Sequence, residues 1–134
     1  MYTHTLESTP LGVRAALDGL RAVLPLEPDN ADMVEIALAE ALNNVVEHAY
    51  GFETGHKVEL SAELAPPGLS IDIRDSGKPL EGLSLPVAEA AMVDVPVDEL
   101  PEGGYGWYLI HTLTSGVKYQ RIEGQNRLTL QFDL

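Results

Sequence analysis

In the stretch MVEIALAEALNNVVEHAY (residues 33–50), Glu40, Asn44 and Glu47 fall at i, i+4 and i+7. A helix there sets all three on one face, with His48 at its edge. A carboxylate and a carboxamide one turn apart on an otherwise apolar helix are costly to bury without partners. A metal, a ligand or a buried hydrogen-bond network would each satisfy them. A solvated polar face explains the same spacing equally well.

Two more stations follow, Asp75-Ser76-Gly77 and Gly103-Gly104-Tyr105-Gly106. Taken singly, an Asp-x-Gly at a strand end is a plain turn, and a glycine cluster before a helix is a loop that needs positive φ. Together, with a long irregular segment between them, they suggest an anion site closed by a lid. The glycines let backbone amides approach phosphate oxygens, and the helix that follows points its positive end at them. The cluster is not a dinucleotide fingerprint, because it lacks the third glycine and does not directly follow a predicted strand. A P-loop is excluded by the missing Lys-Ser/Thr pair. Glu47, His48 and His56 lack the i, i+4 spacing of helical zinc sites.

The elements that must carry these stations are readable in outline. Residues 2–8 alternate and suit an edge strand. Pro10 opens a helix with Leu11, Ala15, Leu17, Leu20, Val23 and Leu24 on one broad face, which Pro25 and Pro28 end. The organising helix is expected over 33–50, with Asp29, Asn30 and Asp32 as capping candidates and apolar residues around most of its circumference. Strands at 57–65 and 69–75 form a hairpin across Pro66-Pro67-Gly68. Residues 76–104 lack periodicity, although VAEAAMVDV suits a short helix. A helix over WYLIHTLTS and a closing hairpin across Glu123–Asn126 complete the chain. This order predicts one α+β domain, a two-layer sandwich with helices on one face of a mostly antiparallel sheet.

Composition sets limits on function. The 134 residues suffice for one domain with a real core, and 45% apolar against 22% charged residues describes a folded globular chain. No apolar run reaches a membrane span, and the N-terminus lacks a signal-peptide pattern, so a cytoplasmic location is expected. The absence of cysteine excludes disulfides and thiolate metal sites. A net charge of -13 disfavours direct nucleic-acid or anionic-membrane binding. Any polyanionic ligand must then be held by a metal ion, helix N-termini or backbone amides.

Taken together, the stations resemble the GHKL (histidine-kinase-like) ATPase superfamily. Glu40-Ala41-Leu42-Asn43-Asn44, continued by VVEHAY, is similar to its N box, IDIRDSGKPL to its first glycine box and EGGYGWYLI to its second. Order, spacing and size most resemble the anti-sigma-factor serine kinases of the RsbW and SpoIIAB type, over nearly the whole chain.

The resemblance implies the GHKL (Bergerat) ATP-binding fold, with ATP and Mg²⁺ as cofactors. It makes Glu40 the general base and Asn44 the ligand of a magnesium ion bridging the phosphates. Asp75 would accept from the adenine amino group, and Gly77 would let the base lie against the backbone. Gly103, Gly104, Tyr105 and Gly106 would line the phosphates, His48 continues the first box, and residues 78–103 would form the ATP lid. The implied substrate is a serine or threonine on a small anti-anti-sigma (STAS) protein, the second partner is a sigma factor, and family kinases are often homodimers.

Two positions depart from the family pattern. Glu102 stands where kinase members carry a lid arginine, and Gly124-Gln125-Asn126 replaces a Gly-x-Thr. The first departure supports an alternative, a nucleotide-binding switch with little turnover. A third reading is an interaction module in which the boxes are remnants.

Overall fold

The computed structural model describes residues 1–83, 85 and 104–134, with backbone only at 81, 104 and 105. In chain order it contains β1 (Tyr2–Glu7), α1 (Pro10–Val23), α2 (Pro28–Asn44) and a π-helical turn (Val45–Ala49). These are followed by β2 (Lys57–Ala65), β3 (Gly68–Asp75), α3 (Gly104–Leu113), β4 (Gly116–Ile122) and β5 (Gln125–Asp133). The strands form one five-stranded sheet in the order β1-β2-β3-β5-β4. Every neighbouring pair is antiparallel.

Alternation along the strands decides which face is covered. Leu69, Ile71 and Ile73 of β3 and Leu128, Leu130 and Phe132 of β5 are buried against the helices. Ser70, Asp72 and Arg74 lie on the opposite face, where Arg74 is exposed and stands opposite Glu59 in the β2–β3 register. On that face Asp72 accepts from Arg127 at 2.8 Å and Thr129 at 2.6 Å. Burial pushes its carboxyl up, but those two donors and the Arg127 charge outweigh it and hold it below the ordinary range. The predicted α+β two-layer sandwich is therefore the observed fold.

Helix α1 starts where Pro10 suggests, with the Thr9 hydroxyl accepting from Gly12 N–H at 3.0 Å. Helix α2 corrects the sequence reading at its start. It begins at Pro28, five residues earlier than expected, so Asp29, Asn30 and Asp32 lie inside it and Glu27 precedes it without a side-chain cap. Proline tolerates the first helical position because its missing N–H would have no partner there, and Asp29 suits the positive end.

The same helix touches both α1 and α3, yet it is not buried on nearly all sides as its composition suggests. Val34, Ala37, Leu38, Ala41 and Leu42 are buried, while Ile36 is 47% exposed. One sheet and two flanking helices cover a broad stripe and leave the back of the helix open. Arg14 and Arg21 of α1 both reach Glu35 of α2, at 2.7 and 3.0 Å. These exposed pairs steer the α1–α2 contact but add little stability.

Candidate active site

The organising helix does not run to residue 50 as a regular α-helix. After Asn44 it widens into the π-turn over Val45–Ala49, and Tyr50 N–H still bonds to Val45 C=O at 3.0 Å. Single π-turns inside α-helices are frequent at functional sites. Here the widened turn carries the Ala49 carbonyl to the Asp75 station. The Lys78 amide donates to that carbonyl at 2.8 Å. A β-carbon on Gly77 would lie 2.4 Å from the same oxygen, so only glycine fits between the two backbones.

Tyr50 fixes this junction from the other side. Its hydroxyl donates to Lys57 C=O at 3.0 Å and accepts from Ser76 N–H at 2.8 Å. Its ring stacks on His56 at 4.4 Å between centroids. The end of the helix, the start of β2 and the end of β3 are thus tied at one oxygen atom.

Asp75 is 5% exposed at the end of β3. Its Oδ1 accepts from Gly77 N–H at 2.9 Å and from the Asn126 amide at 2.8 Å. Burial pushes its carboxyl above the ordinary range, while the bonds from Asn126 and Gly77 and the charge of Arg121 act in the opposite sense. Asn126 also donates to Lys78 C=O at 2.8 Å. It therefore links the Asp75 station to the first residues of the segment that follows.

The glycine station differs from its sequence reading. Helix α3 starts at Gly104, so Gly104 and Gly106 lie in its first turn and not in a loop before it. Gly106 leaves room for the Glu40 carboxylate, because a β-carbon there would come within 2.7 Å of Glu40 Oε2. The first-turn amides of α3 have no partners within the helix. Gly103 lies outside the described residues, as do Glu102, VAEAAMVDV and most of the expected lid at 78–103. Tyr105 is described only as backbone in this turn.

Glu40 is half-buried beside Gly106. Burial raises its carboxyl above the ordinary range, and the nearby Glu47 raises it further. One turn on, Asn44 Nδ2 is buried without a hydrogen-bond partner, the one such side-chain atom among the described residues. A buried amide left unpaired costs about 1–3 kcal/mol, so it marks a position where a ligand is expected. His48 is exposed on the π-turn, and among the described residues no hydrogen bond joins it to Glu40, Asn44 or Asp75. The structure thus joins Glu40 to Gly106 directly, and Asp75 to Gly77 and the π-turn.

The donor set suits a small hard cation beside phosphates. The Asn44 carboxamide would offer its Oδ1 to magnesium, which takes few protein oxygens when phosphates supply the rest, while its unpaired Nδ2 calls for an acceptor such as a phosphate oxygen.

Sequence reasoning overlooked Tyr50, Tyr119 and Arg121, and left the contact of Asn126 open. What links Asn126 and Arg121 to the site is their position across the sheet. Asn126 stands opposite Asp75 in the β3–β5 register, and Arg121 opposite Asn126 in the β4–β5 register.

Among the described residues no helix is long and apolar enough to cross a membrane. Comparison with known proteins bears on identity. The family model described as histidine kinase-like ATPase domain matches residues 6–132. A serine-protein kinase RsbW from Bacillus cereus (strain G9842) is 30% identical over 122 residues, 90% of this chain and 75% of that protein. The RsbW of Bacillus anthracis (strain CDC 684 / NRRL 3495) is 29% identical over the same shares. Among solved structures, the RsbU and RsbW domains of Rv1364c from Mycobacterium tuberculosis match with TM-score 0.66 at 18% identity. That match covers 100% of this chain, which spans 33% of the Rv1364c chain. The SiaB–SiaC complex of Pseudomonas aeruginosa matches with TM-score 0.64 at 14% identity, covering 97% of this chain and 88% of the other. The chain therefore belongs to the histidine kinase-like ATPase family and, within it, to the RsbW-type serine-protein kinases.

Proposed function

We propose that this protein transfers the γ-phosphate of Mg-ATP to a serine or threonine hydroxyl on a small STAS-type partner, and that it also binds a sigma factor as a cytoplasmic anti-sigma factor. The observation that carries the reading is the contact of the Glu40 carboxylate with the first turn of α3 at Gly106, one helical turn from the unpartnered Asn44 amide.

In this reading Asp75 holds the nucleobase with Gly77 beside it. Gly103, Gly104, Tyr105 and Gly106 serve as the phosphate-lining residues. Asn44 is the protein ligand of Mg²⁺, which neutralises phosphate charge when bound. Glu40 takes the proton from the attacking hydroxyl as the new O–P bond forms. The bond from the γ-phosphorus to the bridging oxygen breaks, and its electron pair leaves with ADP. A raised Glu40 basicity suits that role, because a carboxylate of ordinary pKa is a weak base.

The 134 residues act here as one domain, with residues 78–103 as the lid. The similarity to RsbW kinases supports the kinase and partner assignments. The SiaB–SiaC complex, a structural neighbour, supports a protein partner docked on this fold. A homodimer follows the family habit. A second reading, an ATP-binding switch with little turnover, is favoured by Glu102 at the position of a lid arginine. The test is incubation with γ-labelled ATP, Mg²⁺ and a purified STAS protein. Label on a partner serine or threonine supports the kinase, and binding without transfer supports the switch.

A further inference from the structure

Asp75, Asn126 and Arg121 occupy one row across β3, β5 and β4. The hydrogen bonds in this row run in one direction. The Tyr119 hydroxyl accepts from Leu80 N–H at 3.0 Å, so its own proton goes to Asn126 Oδ1 at 2.6 Å. Arg121 Nη1, a donor only, reaches the same oxygen at 3.1 Å and Gly77 C=O at 2.7 Å. With two donors on its oxygen, the carboxamide turns its NH₂ group to Asp75 Oδ1 and Lys78 C=O. Reversing the amide would set oxygen against two acceptors and nitrogen against two donors. The Asn126 orientation is therefore fixed by chemistry, and every partner of Asp75 Oδ1 is a donor.

We propose that Asn126, oriented by Arg121 and Tyr119, is the positioning residue that holds Asp75 as a hydrogen-bond acceptor and thereby selects a 6-amino purine nucleotide over a 6-oxo one. The inference rests on the reading of Asp75 as the nucleobase contact. An amino group donates N–H to the carboxylate, whereas a 6-oxo group brings oxygen against oxygen. If the buried carboxyl took up a proton, its O–H would donate to the 6-oxo group and the discrimination would shrink. Asn126 opposes that protonation by donating to Asp75 Oδ1, and Arg121 and Tyr119 keep it in the donating orientation.

The test compares ATP with ITP, which differ at the 6-position, by calorimetry with Mg²⁺ on the full chain, with thermal unfolding recorded for each variant. Asn126→Leu is expected to narrow the ATP-over-ITP affinity ratio by about tenfold. The paired variant Tyr119→Phe/Arg121→Met is expected to narrow it by about threefold. Neither residue of the pair hydrogen-bonds Asp75, so that variant decides the matter if Asn126→Leu does not fold. A purely structural role would weaken both nucleotides alike, and an unchanged ratio overturns the inference. Asp75→Asn run alongside separates two failures. If it leaves ATP affinity intact, the nucleobase reading falls and the inference with it. If it weakens ATP while the other variants leave the ratio unchanged, the inference alone falls.

Discussion

The carboxylate of Glu40 lies against the backbone of Gly106, with Oε2 only 2.7 Å from where a β-carbon on that glycine would stand. The obstacle to a larger residue is thus the mobile end of a side chain and not backbone. Gly106→Ala is expected to fold well, since alanine is about 1 kcal/mol better than glycine inside a helix. The Glu40 carboxylate must swing aside, however, and a displacement of this size costs about 100-fold in rate. Unfolding temperature and phosphoryl transfer measured on one preparation should therefore part company, the first unchanged or higher and the second strongly reduced.

Gly77 presents the opposite case. The nearest atom to its missing β-carbon is the Ala49 carbonyl oxygen at 2.4 Å, a backbone atom that also accepts from Lys78 N–H. Gly77→Ala should cost about 1–3 kcal/mol or more, as overpacking does, and should weaken ATP binding as the Asp75 turn shifts. Chemical denaturation reports the first effect. A stability equal to wild type would mean that the π-turn is not held against this glycine.

Glu40→Gln keeps the shape of the side chain and removes its basicity. Transfer to a STAS partner should fall by about 100-fold to 10,000-fold, while ATP affinity stays within a few-fold of wild type. Persisting transfer would remove Glu40 from the role of base.

The pH profile carries a further expectation. Glu40 is raised first by burial and second by the charge of Glu47. A general base works ionised, so kcat/KM should rise with pH through the raised Glu40 pKa. Glu47→Gln removes the second cause, and the acid limb should move to lower pH. It should still stop above the ordinary carboxylate range, because burial remains. An acid limb that does not move would disconnect Glu47 from the base.

The strands and the first helix were legible because alternation and proline placement are local signals. Leu69, Ile71 and Ile73 announce a covered sheet face within one strand, and Pro10 marks its helix start. The three polar stations were legible as types and spacings, and so was the family they resemble. The π-turn after Asn44 was not, since nothing in VVEHA distinguishes a widened turn from a regular one. The turn meets Gly77 and Lys78, far along the chain. The start of α3 at Gly104 was missed for a related reason, because glycine is a poor helix former. Asn126, Tyr119 and Arg121 stayed hidden because their meaning depends on the β3–β5 register, which sets Asn126 opposite Asp75, 51 positions away along the chain.

The most direct test of the site is a calorimetric titration of the purified protein with ATP, with and without Mg²⁺. The expected result is one saturable site whose affinity depends on magnesium and falls in Asn44→Ala. Absence of binding at millimolar ATP with Mg²⁺ would contradict the assignment of Glu40, Asn44 and Asp75 to one nucleotide site.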